Sequence, residues 1–352
     1  MIVKHSGKVA SVDNQSTANN AYIDQYDWVG QDNQKFMFIP LNNNTYAIVN
    51  KNSGKVASVD DQSTANNAHI DQYDWHGHNS QIWEPVDSGV ANYYQIKSKH
   101  SGKVASVDKE STANNALIDQ YDWHNSDSQR WYFEAVESFT LPSIETFPRP
   151  VVPQYEYLGQ ELPDHVDPVV TNYTLAPCIA VEDPHYINNP AQQIADNPYY
   201  LYVREQSWQK VTDTILAPGM THKYTQTSGI KETDSQTVSK TVSHTFGADV
   251  GLSFKKDSLS AGMSYQYSEE LNVQETKVNE ELSVIEKQLD IVNNNSYEVS
   301  WTQYILVNKF YVVRADGTIV NDAWTVTDTN TTHAVYFPTT AGPGLLEAPS
   351  GH

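Results

Sequence analysis

The sequence predicts an all-β protein in two parts. Three near-copies of one segment open the chain, a proline-rich stretch follows them, and the remainder is rich in Thr, Ser, Val and Tyr. The copies occupy residues 5–28, 52–75 and 100–123, and the second and third each differ from the first at three of 24 positions. A repeat of this length that stops at three copies calls for a closed threefold object, because one copy cannot bury its own apolar face. Any pocket the repeat forms is then present three times. With 352 residues the chain is long enough for two cores.

Within each copy the elements follow in order. Residues 8–12 read as a strand, 16–20 as a turn and 23–26 as a second strand. Gln34-Lys35-Phe36, Gln81-Ile82-Trp83 and Gln129-Arg130-Trp131 then lead into further strands such as 46–49. Four strands in each of three units make about twelve, and closing them on one another removes free edges.

The pattern SGK…STAN.A…QYDW…QxW resembles the ricin-B-type β-trefoil lectin repeat over residues 1 to about 137. In that family a Gln-x-Trp closes the core of each lobe; the first copy here carries Phe36 in place of the Trp. The resemblance implies sugar binding, with an aromatic face under the sugar ring and carboxylate or amide groups on its hydroxyls. It places the stacking aromatic at Tyr26, Tyr73 and Tyr121. The amide position falls at Asn33, with Ser80 and Ser128 in the other copies. The family's first-strand Asp falls at Ser11, Ser58 and Ser106, a departure repeated in all three copies. Asp24, Asp71 and Asp119 lie two residues before each Tyr and are the candidates for the displaced acceptor, with Asp13, Asp60 and Asp108 as second candidates. Trp28, Trp75 and Trp123 are expected in the core, and Gln34, Gln81 and Gln129 on buried backbone groups.

A net charge of −21 argues against nucleic acid as a partner and favours solubility at neutral and alkaline pH. Cys178 is the single cysteine, which excludes a disulfide framework and a cysteine metal cluster. His76 and His78 lack a third ligand and are read as loop residues, so neither a metal nor a cofactor is expected. The opening MIVKHSGKVA has no apolar stretch of the secretory-signal kind, and no apolar run reaches the length of a membrane helix.

The first domain is set at residues 1–138 and a linker at 139–170, where six prolines favour an extended connector. The second domain is set at 171–352, β-rich apart from a short helical stretch expected at 279–289, with a tail from 333 that is either removable or disordered. Within the second domain lies a two-armed alternating segment. Phe246, Val250, Leu252 and Phe254 fall on one face of the first arm; Leu259, Met263 and Tyr265 fall on one face of the second. Each arm has nine residues, close to the roughly 9–11 of a tilted membrane-spanning strand. A half-buried hairpin of a soluble sheet alternates in the same way, and the Lys255-Lys256 tip opposes crossing.

Residues 175–211 resemble the Bin/Tpp insecticidal toxins, the Toxin_10 family of spore-forming bacilli. The motifs are Pro177-Cys178, Val181-Glu182-Asp183-Pro184, Pro198-Tyr199-Tyr200 and Trp208-Gln209. The resemblance covers about 170–330 and implies an elongated, aerolysin-like pore-forming domain behind the trefoil. It implies a toxin stored as a parasporal crystalline inclusion, released on lysis, that binds galactose-type glycans on midgut cell membranes. The expected partners are cell-surface glycans, the target membrane, further copies in a β-barrel pore through the 246–267 hairpin and, as in some relatives, a second toxin component. Two rival readings are a lectin without pore formation and a carbohydrate-active enzyme. The enzyme reading rests only on the acid pairs Glu269-Glu270 and Glu280-Glu281, which read as solvated charge.

Overall fold

The computed structural model describes residues 1–41, 44–230, 234 and 284–349. Among these, Met1–Pro142 and Ala176–Tyr200 form one compact unit, and Ser143–Leu175 with the residues from Leu201 onward form a second.

The first unit holds twelve strands in one closed sheet. The first lobe is β1 (Ile2–Val3), β2 (Val9–Val12), β3 (Ala21–Tyr26) and β4 (Phe36–Pro40). The second is β5 (Tyr46–Asn50), β6 (Val56–Val59), β7 (Ala68–Tyr73) and β8 (Trp83–Asp87). The third is β9 (Tyr94–Ser98), β10 (Val104–Val107), β11 (Ala116–Tyr121) and β12 (Trp131–Tyr132). This is the threefold β-trefoil the repeat implies. Alternation sends Ala10, Val12 and Ile23, with their counterparts in the other lobes, into a shared core that includes Trp83 and Trp131. The indole N–H groups of Trp83 and Trp131 donate to Ala57 O at 2.9 Å and Ala105 O at 3.0 Å. Phe36 holds the equivalent place in the first lobe, partly buried and without that donor.

β3, β7 and β11 pair with one another around the threefold axis. Each carries a fully buried Gln whose amide latches the next lobe. Gln25 donates to Ser111 O and Ala113 O, Gln72 to Ser16 O and Ala18 O, and Gln120 to Ser63 O and Ala65 O. Asn20, Asn67 and Asn115 adopt φ near +63° at these turns, a conformation Asn tolerates better than most residues. The Lys of SGK and the Asp of QYDW pair within each lobe, as Lys8–Asp27, Lys55–Asp74 and Lys103–Asp122. Gln34, Gln81 and Gln129 do bond backbone: Gln34 accepts from Val29 N and donates to Asp27 O, and the other two do likewise.

Trp28, Trp75 and Trp123 are not in the core. Trp28 is 47% exposed, and the other two are half-buried. β3 ends at Tyr26, so the Trp lies past the strand, where alternation no longer directs it inward. The Arg130 guanidinium covers the Trp123 ring instead, 5.3 Å from its centroid.

In the second unit the long strands are β14 (Tyr199–Leu216), β15 (Thr221–Ile230), β16 (Ile285–Asn293), β17 (Val299–Val313), β18 (Trp324–Phe337) and β19 (Leu345–Pro349). β13 (Val169–Pro177) leads into them, giving the sheet order β13-β14-β17-β18-β15-β16-β19. β17 is buried along nearly its whole length, as a central strand covered on both faces must be. Residues 143–168 contain no strand or helix, as their prolines require. They are nonetheless packed, since Val152, Tyr155 and Leu162 join the core around Trp208 and Tyr304.

The structure corrects two further expectations. Ile285–Asn293 is a strand, so the helix expected at 279–289 is absent over its described part; pairing with β15 from Thr221 to Ser228 overrides helix propensity. The tail is not a disordered end through Pro349, because β19 pairs with β16 and β18 runs to Phe337. Phe246, Val250, Leu252, Phe254, Leu259, Met263 and Tyr265 lie outside the described residues.

Candidate functional site

Each trefoil lobe builds the same constellation on one strand pair. Ser11 is directly opposite Asp24, Ser58 opposite Asp71 and Ser106 opposite Asp119. Directly opposed residues project to the same face, so the carboxylate stands one strand over from the place where the family resemblance puts it. Tyr26, Tyr73 and Tyr121 follow two residues later on that face and are half-buried.

The three aspartates are the unusual groups. Each is 2% exposed, and each has an Oδ1 with no hydrogen-bond partner. Burial pushes the carboxyl of Asp24 up to about 7, with the nearby charge of Asp13 adding to the shift. Burial does the same to Asp71, assisted by Asp60, and to Asp119, assisted by Asp108. A carboxylate stripped of water and left with an open acceptor is costly unless a ligand supplies the missing donor.

Beside each Asp the chain makes a 3-10 turn that begins with Asp13, Asp60 or Asp108. The two residues that follow are both left-handed, with φ of 51–54°, in all three lobes: Asn14-Gln15, Asp61-Gln62 and Lys109-Glu110. Consecutive non-glycine residues in this region are strained, and strain kept in three copies points to a geometry the site needs. Asp13 accepts from Asn14 Nδ2, and Asp108 is paired with Lys109 at 2.7 Å.

Two of these constellations line well-formed clefts. In the second lobe Ser58, Asp71, Tyr73, His76, His78, Asp61 and Gln62 surround about 370 Å³. In the third, Ser106, Asp108, Asp119, Tyr121, His124, Lys109 and Glu110 surround about 880 Å³. Both lie within the roughly 300–1,000 Å³ of small-ligand sites. Asn33 in the first lobe is buried, and its amide N–H₂ is already used on Ser11 Oγ and Val12 O. Only its Oδ1 remains without a partner, so Asn33 offers an acceptor rather than a donor. Three contributors from an adjoining lobe were not expected from sequence: Asn20 enters the second cleft from the first lobe, and Asn67 and His69 enter the third from the second lobe.

Among the described residues no group of three or more His, Cys, Asp or Glu is placed to hold a metal ion. The His76 and His78 rings lie 6.0 Å apart at the rim of the second cleft. Cys178 is buried, and burial pushes its thiol up to about 12, which leaves it unreactive at neutral pH. No described helix is long and apolar enough to cross a membrane.

Comparison with known proteins gives two family matches along the chain. Residues 2–73, 32–90 and 79–146 match the ricin-type beta-trefoil lectin domain-like family, and residues 169–339 match the family of the Insecticidal Crystal Toxin, P42 (Toxin_10). The binary larvicide subunit BinA of Lysinibacillus sphaericus is 28% identical over 211 residues, covering 59% of this chain and 54% of BinA. Its companion BinB is 27% identical over 167 residues, covering 47% of this chain and 36% of BinB. The chain thus matches about half the length of BinA and less of BinB. The crystal structure of Cry35Ab1, an insecticidal crystal protein of Bacillus thuringiensis, shares the fold with a TM-score of 0.71 at 20% identity, over 95% of this chain and 90% of that one.

Proposed function

From a chain that belongs to the Toxin_10 family of insecticidal crystal toxins and carries a ricin-type β-trefoil at its N-terminus, we propose an insecticidal toxin that docks on cell-surface glycans and then opens the membrane. The observation that carries the docking step is the buried, unpartnered carboxylate oxygen beside a half-buried Tyr, repeated three times. Such an oxygen accepts from sugar hydroxyls, and the Tyr ring covers the sugar's C–H face. The carboxylates of the clefts disfavour sialylated and sulfated glycans, which supports neutral sugars as ligands; the galactose type rests on the ricin-type resemblance.

Membrane opening is assigned to the 246–267 segment. Its alternation supports this reading, and so does its place in the chain. The chain leaves β15 at Ile230 and returns in β16 at Ile285, where Ser228 and Ile285 stand opposite each other. A segment tethered at two adjacent strand ends enters a bilayer as a hairpin. Several copies must close into a barrel together, since lipid leaves no partner for open strand edges. Storage in a bacterial inclusion, release on lysis, and help from a second toxin component belong to the same reading by analogy with the Bin subunits.

Dye leakage from vesicles bearing a galactose-terminated glycolipid tests both steps. The full chain is expected to release dye, free galactose to suppress release, and V250D/L252D to bind the vesicles without releasing dye. Leakage by V250D/L252D at the wild-type rate excludes the hairpin. Binding without leakage at any dose of the wild type leaves a lectin without pore formation.

A further inference from the structure

The three sites share their carboxylate and tyrosine but not their outer walls. β3, β7 and β11 pair around the axis, so each site Asp also faces a residue of another lobe. Asp24 is directly opposite Leu117, Asp71 opposite Tyr22 and Asp119 opposite His69. Each of these residues therefore projects to the same face as the carboxylate it meets. In the third lobe His69 lines the cleft together with Asp119 and Tyr121. Its Nδ1, like Asp119 Oδ1, is buried without a hydrogen-bond partner.

Positions 22, 69 and 117 are among the few at which the repeat varies. Beyond the first residue of each copy, the copies differ only at 14/61/109, 15/62/110 and 22/69/117. The first two sets are the left-handed pairs beside the carboxylates, and the third faces the carboxylates across the lobe boundary. Of these positions, 61 and 62 line the second cleft, 69, 109 and 110 line the third, and 22 and 117 each stand opposite a site carboxylate in the strand register.

We infer that each sugar site is completed by the adjoining lobe, and that residues 22, 69 and 117 determine specificity so that the three sites select different neutral sugars. The inference rests on the reading that the clefts bind sugar. Leu117 gives the first site an apolar wall, suited to the acetamido methyl of an N-acetylhexosamine. His69 gives the third a polar ring with an open nitrogen, suited to the free hydroxyl of an unsubstituted hexose. Tyr22 stands opposite the second site's Asp71 and packs edge-on against His69, their ring centroids 5.1 Å apart.

Calorimetric titration of the full chain with galactose and with N-acetylgalactosamine, on the wild type and on Leu117→His and His69→Leu, tests this. Each exchange installs a residue that the same fold already holds at the equivalent position, so folding is preserved. The wild type is expected to show more than one class of site. Leu117→His is expected to shift the preference of one site toward galactose by roughly tenfold, and His69→Leu to shift another by a similar factor toward N-acetylgalactosamine. Three equal sites whose sugar preference neither exchange moves overturn the inference while leaving sugar binding intact. Binding of neither sugar by the wild type overturns the docking reading and the inference together.

Discussion

The buried aspartates set the chemistry of the trefoil at the scale of single residues. Asp24, Asp71 and Asp119 have carboxyls raised from 3.8 to about 7, chiefly by burial. An ionised carboxylate accepts from two sugar hydroxyls, whereas its protonated form gives up part of that capacity. Affinity for galactose should therefore rise between pH 6 and pH 8, and the rise should vanish in D24N/D71N/D119N together with most of the binding. The same shift bears on stability. A folded-state value above the unfolded one means that the folded protein holds more protons between about 4 and 7. Its stability then falls as pH rises through that window and levels off above it. Thermal unfolding of the triple Asn variant should accordingly give a higher Tm than the wild type at pH 8, with the difference shrinking toward pH 4. A lower Tm at pH 8 contradicts the claim that these groups are desolvated at a cost to the fold.

At the scale of elements, the three glycines of the SGK turns show how near-identical sequence meets different surroundings. Gly7, Gly54 and Gly102 have φ of +69°, +70° and +74°, so each replacement by Ala costs about 1–2 kcal/mol from backbone strain alone. A Cβ on Gly7 meets open space and one on Gly102 only the end of Lys97, but one on Gly54 collides with the backbone of Pro190 in α1 (Pro190–Asp196). Urea unfolding should show Gly54→Ala losing clearly more stability than the other two; equal losses reject that packing. The sequence made some of this scale legible. The threefold repeat and the Gln-x-Trp of Trp83 and Trp131 marked the lobes and the core, because each copy has to bury its apolar residues against the other two. The place of Trp28 was not legible, since it depends on where β3 stops and not on apolar character. Nor was the contact between Asp119 and His69, which belong to different copies and meet only once the threefold sheet has closed. The signal that pointed there was the repeat's own variation at 22, 69 and 117. The strand at Ile285–Asn293 was hidden for the same reason, as its pairing with β15 spans residues far apart in the chain.

Over the whole molecule the proposed function divides the work between the two halves. On the proposed reading, three sugar sites on the trefoil gain from a glycan-dense membrane, where simultaneous engagement strengthens attachment by roughly 10²–10⁴ over one site. On the same reading, attachment concentrates the second half at the bilayer, which the proposed collective barrel closure requires. The acidic balance of −21 keeps the chain soluble at the alkaline pH at which the site carboxylates are ionised. Solubility and the predicted sugar affinity therefore rise together with pH. The most direct test of the central claim is a glycan array probed with the full chain and with Y26A, Y73A, Y121A and the triple variant, each shown to be folded by its circular dichroism and Tm. The account predicts binding to neutral galactose-type glycans, weakened stepwise by the single changes and lost in the triple variant. Undiminished binding by the folded triple variant would contradict it.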